Sequence, residues 1–193
     1  SAFLWSISVV TFKSVSKELS PFLINAIKNT IAFILFLLVF YIIGIPFWYD
    51  EFLLNDYLII IISGILGMGI GDSLFIYALS RIKANQVAII DTFAPVINYI
   101  LSFIILGTVL SVSQTIGAFI VISAILFITY ENKIDKNQDN IDKTGIMIQL
   151  LATISSCYGI VILKPVLDKV IDSVQLQIWV TVFRLLPGMI IAW

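Results

Sequence analysis

Asp56 to Leu106 reads DYLIIIISGILGMGIGDSLFIYALSRIKANQVAIIDTFAPVINYILSFIIL. Two apolar runs, about Tyr57–Leu79 and Ala84–Leu106, flank a short basic turn, Ser80-Arg81-Ile82-Lys83. Each run is long enough to cross a bilayer as a helix, which takes about 20 residues. Each also carries one carboxylate well inside it, Asp72 and Asp91. A lone charge at the centre of the hydrocarbon costs at least roughly 2.5–3.5 kcal/mol, so such residues face a protein interior or a wet cavity. The hairpin therefore points to a protein that handles something polar inside a membrane.

Composition extends this to the whole chain. Of its 193 residues 60% are hydrophobic and 12% charged, with a mean hydropathy of +1.09. A soluble domain carries about twice that charge. The net charge of −1 argues against nucleic acid as a partner. The absence of histidine removes imidazole metal sites, Ser-His-Asp and Cys-His catalysis and histidine proton relays. The one cysteine, Cys157, lies in an apolar run and reads as a small packing residue. No metal or cofactor motif is present. Gly67-x-Gly69-x-Gly71 has no preceding strand and lies among apolar residues, so it does not read as a phosphate loop.

Seven apolar segments emerge: Ala2 to about Lys17, Pro21–Gly44, the two runs of the hairpin, about Leu110–Tyr130, Gly145 to about Leu163, and a last one from about Ser173. Lys164-Pro165 is expected to end or kink the sixth. The polar stretch Glu131–Thr144, ENKIDKNQDNIDKT, reads as an exposed linker. The fold class expected is all-α, a polytopic transmembrane helical bundle. Near the ends of the spans, Lys and Arg cluster after segments one, three and five (Lys13, Lys17, Arg81, Lys83, Lys133, Lys136, Lys143), against Lys164 and Lys169 after segments two, four and six. The positive-inside rule then puts the linker in the cytoplasm. No cleavable signal peptide is visible.

An internal repeat divides the chain. FKSVSKELSPFLINAIKNTIAFIL, Phe12 to Leu35, answers LKPVLDKVIDSVQLQIWVTVFRLLPGMI, Leu163 to Ile190. Lys13 matches Lys164, and Lys28 matches Arg184. Five spans precede the linker, so a complete second copy gives ten, and the chain reads as a fragment covering about the first seven. An odd number of spans per copy makes the copies inverted. The boundaries expected are 1–130 for the first repeat, 131–144 for the linker and 145–193 for the start of the second.

Helical spacing places the polar side chains. Asp91, Pro95, Asn98 and Ser102 fall on one face of segment four. Pro95 removes the hydrogen bond its N–H would give to the Asp91 carbonyl. This face reads either as a substrate or proton site or as a structural contact, with Asp91 paired to Lys28 or Arg184. Gly64, Gly67 and Gly71 form a small-residue face for close helix packing. Ser73, Tyr77 and Arg81 make a polar stripe. Lys28 either snorkels to the headgroups or faces a pathway, and a buried Arg184 needs an anionic partner.

These residues resemble the EamA-like branch of the drug/metabolite transporter superfamily. The resemblance rests on Ala2-Phe3-Leu4-Trp5-Ser6, Lys13, Ser20-Pro21 and Lys28. It continues with Tyr77-Ala78-Leu79-Ser80-Arg81, Ala84, Ala88, Ala94-Pro95-Val96 and Gly117-Ala118. Departures are Ser6 for Gly, Lys28 for Arg and Thr108 for Glu, and the pattern does not require Asp91. The resemblance implies two inverted five-helix repeats around a central path, permeation of small metabolites, often export, and no cofactor. It leans toward a multi-pass protein of a prokaryotic cytoplasmic membrane. On this reading Asp91, Asn98, Asp72, Tyr77, Lys28 and Arg184 line the substrate path, while Pro95, Gly64, Gly67 and Gly71 are structural. Partners are a small-molecule substrate and the lipid bilayer, with room for a homo-oligomer. Two competitors stay open: an intramembrane enzyme on a lipid-linked substrate, with Asp72 and Asp91 as acid and base, and a non-transporting scaffold.

Overall fold

The computed structural model describes residues 2–49, 52–109, 111–132 and 142–193. The described residues form helices and no strand. We number seven: α1 Ala2–Val15, α2 Pro21–Ile43, α3 Leu54–Arg81, α4 Ala84–Leu106, α5 Val112–Asn132, α6 Lys143–Val170 and α7 Val174–Ala192. Five of them, α2, α3, α4, α6 and α7, are long and apolar enough to cross a membrane. The 14 residues of α1 span only about 21 Å at 1.5 Å per residue, short of a hydrocarbon core of about 30 Å. Most of the expected linker, residues 133–141, lies outside the described residues.

Local chemistry sets the helix ends. Ser20 caps α2, its hydroxyl accepting from the Leu23 N–H at 3.2 Å, and Pro21 occupies the first turn, where its missing N–H costs nothing. Ser173 caps α7 in the same way through Leu176 N–H at 3.3 Å. Gly44 and Gly107 close α2 and α4 in the left-handed conformation, with φ of 70° and 64°, which a side chain would strain. Asp142 caps α6 by accepting from the Thr144 and Gly145 N–H groups.

Contacts at the two ends fix an up-and-down bundle. At the linker edge, Arg81 at the end of α3 pairs with Asp142 at the start of α6, at 2.8 Å. The Lys13 ammonium of α1 donates to the Leu79 and Ile82 carbonyls there, where a cation suits a helix C-terminus. At the opposite edge, Lys169 of α6 grips both oxygens of Asp56 at 2.8 Å, and Trp179 of α7 donates to the Phe47 carbonyl beyond α2. Hence α2 and α7 run antiparallel, and α3 lies between α1, α2, α6 and α7. α4 packs on α6, and α5 touches only α4 among the stronger contacts.

Two apolar clusters close the ends. Toward the Asp56 edge, Trp179 is 0% exposed and stacks on Phe52 at 4.8 Å, with Tyr49, Tyr57 and Phe183 around it. Toward the linker edge, Ile24, Phe75, Ile76, Leu79, Ile82 and Val87 pack with Ala152. Outward faces expose apolar side chains such as Phe3, Leu38, Tyr41 and Ile104, as a bilayer solvent allows.

Three elements differ from the sequence reading. Pro165 neither ends nor interrupts α6, which runs on to Val170. The turn it would cost is held by Val166 and Val170, both buried against the aromatic cluster. α4 breaks its ladder at Thr92–Phe93, so Pro95 sits in the first turn of the second half and removes no mid-helix bond. α3 widens into π-helix from Ile65 to Gly71, where a regular helix with a glycine face was expected.

Candidate functional site

The π turns of α3 are the local origin of the site. A π turn diverts carbonyls from the regular ladder, and the bilayer interior supplies no water to satisfy them. Neighbouring side chains do so. Asn25 of α2 donates to the Met68 and Gly69 carbonyls at 2.9 and 3.2 Å, and Asn29 to Met68 at 3.2 Å. From the other side, Ser155 of α6 donates to the Leu66 carbonyl at 2.7 Å. Ser73 donates to Gly69 at 2.6 Å and accepts from Asn25.

Glycines let the flanking helices press against this segment. A Cβ on Gly64 would strike the Arg184 carbonyl, and one on Gly71 the Ser156 hydroxyl. At Gly67 it would lie 3.1 Å from Arg184 Nη2. From α6, Gly159 faces the backbone of Ser63 and Gly67. The small-residue face of the sequence is therefore a close-packing surface, and it brings α7's cation to the π segment.

Two polar clusters result. In the first, Lys28 of α2 and Asp72 of α3 form an ion pair, their side chains 30% and 35% exposed. Arg184 of α7 lies within electrostatic reach of the same carboxylate, and its Nε is buried without a hydrogen-bond partner. The cluster holds two cations and one carboxylate. Lys28 therefore does not snorkel, and Asp72, not Asp91, is its partner.

The second cluster surrounds Asp91. Its Oδ1 accepts from Gln149 Nε2 at 2.7 Å and Thr153 Oγ1 at 3.0 Å, both on α6. No cation pairs with Asp91 among the described residues. A cavity of about 360 Å³ opens here between α1, α3, α4 and α6. Trp5, Phe75, Asp91, Asn98, Gln149 and Ser156 are among its lining residues. Cys157 also borders it, with its Sγ toward the Ala94 carbonyl at 3.6 Å.

Asp91 and Asn98 thus share the face that spacing assigned to them, whereas Pro95 is exposed and Ala94 lines the cavity instead. The cause is the break at Thr92 and Phe93, whose ψ angles of −13° and −11° are tighter than α-helix. Each such residue turns the chain by about 120° instead of about 100°. The extra turn of about 40° carries Pro95 off the face and leaves Asn98 near it. Tyr77 is not at the cavity: it is 36% exposed, with the Arg81 guanidinium 5.9 Å over its ring.

Both clusters lie deep. At 1.5 Å per residue, Lys28 and Asp91 are about 10 Å, and Asp72 about 13 Å, from the linker ends of their helices. Arg184 is about 15 Å from the opposite edge at Val174. Gln149, Thr153 and Ser155 were not singled out by sequence reading. The signal was there: Gln149, Thr153 and Ser156 recur at four and three, the same stripe that marked α4.

The polar groups sit between helices whose outer faces are apolar. The two aspartates belong to separate clusters, one ion-paired and one not. Among the described residues no group of His, Cys, Asp or Glu is placed to hold a metal ion. Comparison with known proteins adds one finding. Residues 1–130 match the EamA-like transporter family. No curated protein and no solved structure gives a significant match. The matched segment covers α1 to α5 up to Tyr130, and with it Lys28, Asp72, Asp91 and Asn98. The chain belongs to the EamA-like transporter family.

Proposed function

We propose that the protein is a permease that moves a small polar metabolite across a prokaryotic cytoplasmic membrane by alternating access. The observation that carries this reading is the polar layer at mid-depth. Lys28, Asp72 and Arg184 from α2, α3 and α7 form one cluster, and Asp91 and Gln149 from α4 and α6 form a second that lines a cavity of about 360 Å³. Charges at that depth are costly and persist where a polar path needs them. Membership in a transporter family supports the same conclusion. Export is the direction carried over from the family resemblance.

The inverted-repeat reading has local support. α2 and α7 run antiparallel, start at serine caps and bring a cation to the same stretch of α3. With the caps aligned, Arg184 lies three residues deeper than Lys28, about one turn.

The test is access. In a Cys157→Ser background, Asn98→Cys is exposed to a membrane-impermeant maleimide added from either side of sealed vesicles. Alternating access predicts labelling from both sides, with substrate shifting the balance. Labelling from one side alone under all conditions would contradict it.

A further inference from the structure

Three places stood out: the Asp91 cavity, the two-cation cluster at Asp72, and an apolar groove between α1 and α2 lined by Phe12, Ile24, Ile31 and Leu35. The groove's two polar lining residues are already committed, Lys28 to Asp72 and the Thr11 hydroxyl to the Ile7 carbonyl, so neither selects an occupant. Asp72 is already neutralised by Lys28. The Asp91 cavity differs from both.

Its one charged lining residue is an aspartate, and its two buried side-chain atoms without partners are both oxygens. Asp91 brings a carboxylate with no cation beside it, while Asp72 has its Lys28. Gln149 is 0% exposed, and its Nε2 is committed to Asp91, which fixes the amide orientation. Its Oε1 is then a buried acceptor with no partner, and so is Asn98 Oδ1. Both residues line the cavity, and no lysine or arginine does. Buried acceptors without donors are rare in folded proteins and call for an explanation. Two aromatic rings complete the wall, Trp5 and Phe75, with centroids 5.6 Å apart. An aromatic face attracts a cation within about 6 Å.

A carboxylate, two unsatisfied oxygens and an aromatic wall ask for a ligand that is positive and rich in donors. We propose that the Asp91 cavity binds a small organic cation, a protonated amine, with its ammonium on Asp91, Gln149 Oε1 and Asn98 Oδ1 and its apolar body against Trp5 and Phe75. This names the substrate class for the permease of the preceding section and rests on that reading. An ammonium has three donors, one for each of the three oxygens. A cavity of about 360 Å³ is at the small end of ligand pockets, which suits a metabolite-sized amine. An anion would meet the Asp91 carboxylate without a basic group to hold it.

The test is equilibrium binding to the purified, detergent-solubilised protein with radiolabelled phenethylamine. 2-Phenylethanol and phenylacetate serve as neutral and anionic counterparts of the same shape. The amine is expected to bind at least tenfold more tightly than the alcohol, with no measurable phenylacetate binding. Asp91→Asn is expected to lose at least tenfold, whereas Asp168→Asn, an exposed carboxylate paired with Lys164, should bind as wild type. Asn98→Leu removes an oxygen that has no partner in the folded chain, so it should fold normally and bind the amine several-fold more weakly. Equal binding of amine and alcohol would overturn the inference, as would amine binding unchanged in both Asp91→Asn and Asn98→Leu. Flux of a neutral or anionic solute by a protein that does not bind the amine overturns it and leaves the permease reading standing. Amine binding without flux of any solute upholds the site and counts against the permease.

Discussion

Substituting Gly159 by alanine should separate close helix packing from helix propensity. Its Cβ would lie 2.9 Å from the Ser63 carbonyl oxygen and 3.0 Å from the Gly67 nitrogen. Both are backbone atoms of α3, so no side chain can rotate away, and α6 must move outward by about half an ångström. Overpacking of this kind costs about 1–3 kcal/mol. The same movement stretches the 2.6 Å bond from Ser63 Oγ to the Gly159 carbonyl, worth about 1 kcal/mol. Against these stands the alanine gain in helix propensity, about 0.5–1 kcal/mol. The balance is a loss of about 1–3 kcal/mol. Gly117 of α5 is the control: a Cβ there meets nothing within 4 Å, so Gly117→Ala should stabilise by the propensity term alone. Thermal unfolding in detergent, followed by tryptophan fluorescence, reads the difference. At roughly 2–4 °C per kcal/mol for a chain of this size, the two variants should shift the midpoint in opposite directions. A Gly159→Ala protein as stable as wild type would refute the packing of α6 on the π segment.

Four further outcomes follow from the same geometry. Asp72→Asn should destabilise more than Lys28→Met, because it takes the one carboxylate from two cations, Lys28 and Arg184. Removing one partner of a buried pair costs about 3–5 kcal/mol, and partial exposure reduces this to about 1–3 kcal/mol; equal losses in denaturant titration would contradict the shared carboxylate. Asn25→Leu removes one of two side-chain donors from each of the Met68 and Gly69 carbonyls and should cost about 0.5–1.5 kcal/mol per bond lost, read by the same titration. Trp179→Ala should cost about 3–5 kcal/mol by emptying the centre of the aromatic cluster, and a near-neutral result would show that the cluster does not hold that end. The Arg81 guanidinium, with the Gly145 and Thr144 N–H groups, holds the Asp142 carboxyl below the usual carboxylate range. A depressed carboxylate stabilises fully above its unfolded value of about 4, and the effect is lost as pH falls through the lower folded value. Amide protection at Thr144 and Gly145 should therefore drop in acid, and in Asp142→Ala, which has no oxygen to accept from them, it should be low and independent of pH.

Hydropathy and helix punctuation made the bundle legible. Pro21, Gly44, Gly107, Ser173 and the turn before Ala84 act through local backbone chemistry, which a sequence displays directly. That Asp72 and Asp91 face other helices was equally legible, since lipid leaves a charge few alternatives. Partner choice was not. The pairing of Lys28 with Asp72 depends on which way α2 rotates against α3, and that is set by Asn25 and Asn29 holding carbonyls that only a π turn frees. The π turn coincides with the close approach of α6 and α7 to the glycines of α3, a contact between residues far apart in sequence. Pro95 left its expected face because two residues before it are tighter than α-helix, a shift that a wheel of fixed 100° steps does not contain. Pro165 shows packing overriding a local signal, since burial of Val166 and Val170 outweighs one lost hydrogen bond.

The central claim is that the polar layer is a path for solute. Flux through the full-length protein reconstituted in liposomes tests it most directly, with phenethylamine and a panel of amino acids, sugars and nucleotides, with and without a pH gradient. Saturable transport of a panel solute by the wild type, reduced at least tenfold in folded Asp91→Asn, is the result the account predicts. Folded, inserted protein that moves none of these solutes, or transport that Asp91→Asn leaves unchanged, would contradict it.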